Sequence, residues 1–219
     1  MAGKTAEYLF GGTQQWSPND WTSSDDRVRG GSSQSTLEIS PDTDHAKFMG
    51  NLDIDTLGGA GFASQRTTGS RRWDLSAYDG MELDVAESDE KLYTLILKDE
   101  LLPDRPDGRE RSSLSWQADL RFVGSGKVVV RWKEFRPTYR GKEVDDADPL
   151  DLKSIKRLGI MMRSHFGSQS GEFNLSVRYI AAWKAEAEED KNESVTIESK
   201  GSIDSENGRD KGSTCCAIL

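Results

Sequence analysis

From Leu37 to Tyr179 apolar residues recur at every second position, in short runs broken by Gly, Asp, Ser and Pro. That period is the strongest constraint on the fold, because it places apolar groups on one face of an extended strand and is incompatible with a helical stripe. Leu37 and Ile39 alternate with polar residues, and Ala46, Phe48, Gly50, Leu52 and Ile54 form the next series. Met81, Leu83 and Val85 follow a turn at Tyr78-Asp79-Gly80. Tyr93, Leu95 and Leu97 alternate with Leu92 and Ile96, which predicts a strand covered on both sides. Further runs are Leu114, Trp116, Ala118, Leu120 and Phe122; Val128, Val130 and Trp132; and Phe173, Leu175, Val177 and Tyr179. About nine or ten strands are predicted between Tyr8 and Trp183. Pro149 to Leu158 is the exception: Leu152, Ile155 and Leu158 stand three apart and predict a helix of one or two turns.

One-faced alternation means two sheets, each burying one side, and this explains how a hydrophobic content of only 34% can build a core. The expectation is an all-β sandwich or jelly roll, as one domain over residues 5–184. Residues 185–219 are acidic, almost devoid of apolar side chains and without period, which predicts a disordered acidic C-terminal tail. The tail ends Cys215-Cys216-Ala217-Ile218-Leu219, a prenylation-type pattern. Cys216 is the expected prenyl site and Cys215 a palmitoyl site that would supply the second signal needed for stable anchoring. The first residues form neither an apolar signal region nor an Arg- and Ser-rich amphipathic stretch. Together these features predict a cytoplasmic protein held at a cytosol-facing membrane by its lipid. A net charge of -9 opposes non-specific nucleic-acid binding.

Chemistry-bearing motifs are sparse. Gly30-Gly31 lacks the Gly-Lys-Ser/Thr ending of a phosphate-binding loop and reads as a turn, with Asp25 and Asp26 capping local N–H groups. Gly58, Gly59 and Gly61 read as a hairpin connection, after which Arg66 is either ligand-facing or paired with an acid such as Asp25 or Asp26. Trp116 and Trp132 read as core. Trp16, Trp21 and Trp73 are the better candidates for a sugar-stacking platform, although core or staple roles fit them as well. His45 and His165 belong to no metal or triad pattern, and Asp99, Asp104 and Asp107 match no calcium loop. No catalytic residue, metal or cofactor is expected. Arg136-Pro137-Thr138-Tyr139-Arg140-Gly141 offers guanidinium donors for carboxylates or phosphates, or for nearby acids of the chain itself.

Six patches, taken in order, resemble the complex I intermediate-associated protein 30 family. They are Asp26 to Ser35; Phe48-Met49-Gly50; Gly61 to Arg66; Asp74 to Gly80; Phe135 to Gly141; and Gly171 to Leu175. The chain departs from the family pattern at Ser24-Asp25-Asp26 and at Arg27-Val28-Arg29, and it shows no import sequence. The resemblance implies a galactose-binding-like jelly-roll β-sandwich, related in shape to carbohydrate-binding modules. It also implies a non-enzymatic assembly factor or chaperone whose protein partner is a respiratory complex I intermediate, with a mitochondrial location as the alternative. The binding surface expected on this reading comprises Asp25, Asp26, Arg66, Arg136, Tyr139 and Arg140. A carbohydrate-binding module is the alternative function, and it requires exposed Trp or Tyr on a sheet face.

Overall fold

A computed structural model describes residues 6–39, 43–106 and 110–185. Residues 186–219 of the expected tail, Cys215 and Cys216 among them, and Asp107 lie outside these residues. The described residues form two antiparallel sheets packed face to face, a jelly-roll sandwich.

Thirteen strands build it. The six-stranded sheet contains β1 (Ala6–Gly11), β3 (Gln34–Ile39), β4 (Ala46–Leu52), β6 (Gly80–Ser88), β9 (Gly126–Arg131) and β13 (Gly171–Trp183). Its order is β3-β4-β13-β6-β9. The length of β13 organises this sheet: one edge pairs with β6 from Leu175 to Trp183, while the other pairs first with β4 and then with β1. The seven-stranded sheet contains β2 (Trp21–Ser23), β5 (Phe62–Thr67), β7 (Leu92–Lys98), β8 (Ser115–Arg121), β10 (Arg136–Tyr139), β11 (Lys142–Glu143) and β12 (Arg157–Arg163). Its order is β11-β10-β8-β7-β12-β5-β2.

The alternating residues face one another between the sheets. Phe10, Phe48, Leu52, Met81, Leu83, Val85, Phe173 and Leu175 pack against Tyr93, Leu95, Leu97, Trp116, Leu120, Leu158 and Ile160 in one buried cluster. Burying each such side chain stabilises the fold by about 1.5–3 kcal/mol, so the alternation itself is the main source of stability.

Three expectations are corrected. The helix over 149–158 is absent: Leu152–Ser154 make a single 3₁₀ turn, Ile155 bridges Trp73, and Leu158 already lies in β12. The count exceeds nine or ten because β2, β10 and β11 are short edge pieces. The glycine-rich segment after β4 is not a hairpin between paired strands. It makes a local Leu57–Ala60 turn, but carries the chain from the six-stranded sheet to the seven-stranded one.

Candidate functional site

Asp25 and Asp26 are not surface groups. They are 8% and 0% exposed, and each binds the same kinds of donor. Asp26 accepts from the Ser33 N–H at 3.1 Å, the Ser33 hydroxyl at 2.7 Å and the Phe62 N–H at 3.1 Å. Asp25 accepts from the Ser35 N–H at 3.1 Å, the Ser35 hydroxyl at 2.6 Å and the Ser64 N–H at 2.8 Å. The two carboxylates therefore tie the segment before β3 to β5, joining the sheets at one end. The chain must turn tightly to let this happen. Gly30 has φ +85°, and a Cβ on Gly31 would lie 2.3 Å from the Asp26 carboxyl carbon. The Asp-Asp and Gly-Gly pairs are thus parts of one structural staple.

Arg66 pairs with neither aspartate. Its partner is Glu110, at 3.2 Å on the outer face of the seven-stranded sheet. Register places Arg66, Gly159, Ile96, Gln117 and Arg136 in one row across β5, β12, β7, β8 and β10. At the usual inter-strand spacing the two arginines stand ~19 Å apart. Strand alternation puts Lys98, Arg121, Arg157 and Arg163 on this same face. The strand acids there are Asp119 and, on the edge strand, Glu143. Arg163 binds Asp119 at 2.6 Å and the Gln117 side chain at 3.3 Å, and the Thr94 hydroxyl donates to Asp119 at 2.6 Å. An acidic molecule therefore presents one predominantly basic sheet face.

Around Glu110 the charges are crowded. Lys98 Nζ lies 3.5 Å and Arg157 Nη2 3.4 Å from its carboxylate, beside Arg66. Burial holds Lys98 below the usual lysine range, against the pull of Glu110, and lowers Arg157 as well. Sequence reasoning missed Lys98, Glu110 and Arg157, which look like ordinary charged residues until the strands are laid side by side.

Tyr139 and Arg140 form the β10–β11 turn at the far edge of the sheet, where the Arg140 guanidinium covers the Tyr139 ring at 5.4 Å. The expected surface is thus divided among the buried staple, the basic face and an edge hairpin. Tyr139 is the only exposed Trp or Tyr among the described residues. Trp16, Trp21 and Trp73 instead gather around Phe10, with centroids 4.8 to 6.0 Å from its ring. Trp132 packs partly buried, with its indole N–H on the Tyr78 carbonyl.

Two features at the stapled end had no sequence signal. Phe166 is fully exposed, and it and His165 have left-handed φ of 59° and 45°. His165 keeps its Nε2 buried without a partner, and burial, helped by Arg163, lowers its pKa. Among the described residues no group of three or more His, Cys, Asp or Glu is placed to hold a metal ion.

The geometry has relatives. Family 11 carbohydrate-binding modules share the fold at 14% identity, and that identity carries the fold alone. The module of the cellulosomal cellulase Lic26A-Cel5E of Clostridium thermocellum aligns over 85% of this chain and 99% of its own, with a TM-score of 0.57. A Clostridium thermocellum module solved in complex with a β-1,3-1,4-mixed-linked tetrasaccharide aligns over 84% of this chain and 100% of its own, with a TM-score of 0.54. An uncharacterized protein of Schizosaccharomyces pombe is 45% identical over 181 residues, 80% of this chain and 82% of that protein. The family model for complex I intermediate-associated protein 30 matches residues 9–177, most of the sandwich with its staple, and the chain belongs to that family.

Proposed function

We propose that this protein is a non-catalytic protein-binding module that works as an assembly factor or adaptor, docking an acidic surface of its partner on the basic sheet face. Family membership supports a role connected with complex I intermediates. The observation that carries the docking reading is the placement of six cationic side chains on one face of a chain with net charge -9. Complementary charge at such a face steers association and rejects basic partners. The test is affinity purification of the tagged full chain from cells, with Arg66→Glu/Arg136→Glu as the comparison. The double reversal should lose the proteins that the unaltered chain retains, complex I subunits among them. Equal capture by both overturns the reading.

The fold likeness favours a sugar reading, but rings exposed for stacking are lacking on the basic face among the described residues. A mixed-linked β-glucan oligosaccharide should therefore leave the protein's intrinsic tryptophan emission unchanged. For location, the expected role of Cys216 and Cys215 is lipid attachment at a cytosol-facing membrane. Fractionation of the native chain against Cys216→Ser tests this, and co-purification with mitochondria in both would favour the family's association instead.

A further inference from the structure

Among the described residues, the basic face holds more positive charge at one point than its acids neutralise. Among the described residues Glu110 alone faces Arg66 at 3.2 Å, Arg157 at 3.4 Å and Lys98 at 3.5 Å, cations supplied by three adjacent strands. The four side chains are between 9% and 29% exposed, so solvent screens them weakly. The other acceptors these cations use are neutral. Lys98 donates to the Ser113 hydroxyl at 3.2 Å, Arg157 to the Thr67 and Gly69 carbonyls, and Arg66 Nη1 to the Thr67 carbonyl at 3.4 Å. Arg71, whose charge also reaches Arg157, is taken by Asp20, while Asp104 acts on Arg157 only through space. Donor capacity remains. Among the described residues Arg157 Nε is buried without an acceptor, and Arg66 makes all its bonds through Nη1, leaving Nε and Nη2 open.

We propose that Arg66, Lys98 and Arg157 form an oxyanion site in which Glu110 is the internal occupant and a second carboxylate or phosphoryl group binds the open Nε–Nη2 edge of Arg66. That edge presents two parallel N–H groups, the geometry that carboxylates and phosphates accept bidentately. A second anion brings the local charge close to balance, which Glu110 alone does not. The natural source of the anion, an acidic or phosphorylated side chain of a partner, rests on the docking reading. The site itself does not, and it is tested on the protein alone.

The experiment titrates the full chain with inorganic phosphate and, separately, with acetate at constant ionic strength. The arginine Nε–Hε signals are followed by NMR. Saturable shifts of the Arg66 and Arg157 signals are expected; the Arg157 shift should be lost in Arg66→Gln, and both should persist in Lys127→Gln on the opposite sheet. Glu110→Gln, which removes the charge of the internal occupant, should bind phosphate at least about tenfold more tightly. Should that variant be too unstable for NMR, phosphate should raise its thermal midpoint more than it raises that of the unaltered chain. Saturation by both anions assigns a carboxylate-type source, and saturation by phosphate only assigns a phosphoryl source. A linear drift shared by many exposed cations, or the same response in Arg66→Gln, means an adventitious ion only and overturns the proposal. Partner capture that survives Arg66→Glu/Arg136→Glu beside a positive titration removes the docking reading and leaves the site. Lost capture beside a flat titration does the reverse.

Discussion

Asp26 shows how a buried charge can be a structural fastener. Its carboxylate is fully buried and satisfied by three donors, two of them backbone N–H groups that would otherwise be stranded. Asp26→Ala should cost about 3 kcal/mol, the scale for losing hydrogen bonds to a buried charged group, as measured by urea unfolding. Gly31→Ala should act through the same contact, since its Cβ would push into that carboxyl group. The two substitutions should therefore be non-additive, with the double variant little worse than Asp26→Ala alone; simple additivity would show that the glycine serves something else. Lys98 is the opposite case. Burial lowers its pKa below 10.5, against the attraction of Glu110. A lysine with a depressed folded pKa contributes most above its unfolded value, and that contribution is lost as pH falls through the folded one. Wherever the ammonium is charged in the folded state, its burial works against folding. Lys98→Met should leave stability unchanged or raise it by up to about 1 kcal/mol, because Glu110 retains two arginines. A loss above that size at pH 7 would show that the lysine is needed as a counter-ion. For His165, whose pKa burial lowers, the sign puts its full contribution above the unfolded value of 6.5, with loss as pH falls. The fall in thermal midpoint between pH 7 and 5 should be shallower in His165→Gln.

At the scale of elements, the strands with one buried face were legible because burial imposes the period directly. The edge pieces were not: β11 has two residues, and β10 contains Pro137, which fits an edge but gives no alternation. The false helix has an equally physical origin. Ile155 and Leu158 are both fully buried, but Ile155 is held by its bridge to Trp73 and Leu158 by β12, so their spacing of three reflects two separate burials. The β10–β11 turn yields a prediction of its own. Tyr139 pairs with Lys142 around Arg140-Gly141, whose φ values of 53° and 82° fit a two-residue turn that favours Asn-Gly. Arg140 is an unfavourable residue there. Arg140→Asn should stabilise the hairpin by about 0.5–1 kcal/mol, seen as slower exchange of the Val144 amide, which donates to the Pro137 carbonyl at 3.1 Å. Faster exchange would mean that the guanidinium over Tyr139 contributes more than the backbone strain costs.

For the molecule as a whole, the family patches gave the fold but not the site, because they mark staples and turns. Asp25 and Asp26 carry the motif and are buried, while Arg66 and Arg136 reach one row only through the order β10-β8-β7-β12-β5. Nothing local in the chain encodes that order, and the acid that holds Arg66 comes from a loop with no pattern. The same separation of parts predicts separable activities. Among the described residues the hydrophobic cluster runs from Leu9 to Ala182, so a chain ending at Ala185 retains every described contact of the core. Its thermal midpoint should fall within about 2 °C of the full chain, a change of under ~1 kcal/mol at this size. If the basic face captures the partner and Cys216 sets location, this shortened chain should still capture partner from detergent extracts while losing its membrane fraction. Arg66→Glu/Arg136→Glu in the full chain should do the opposite. A shortened chain that unfolds would show that residues 186–219 support the core, whereas one that stays folded but loses capture would place part of the binding function in those residues and move the search for the partner site away from the basic face.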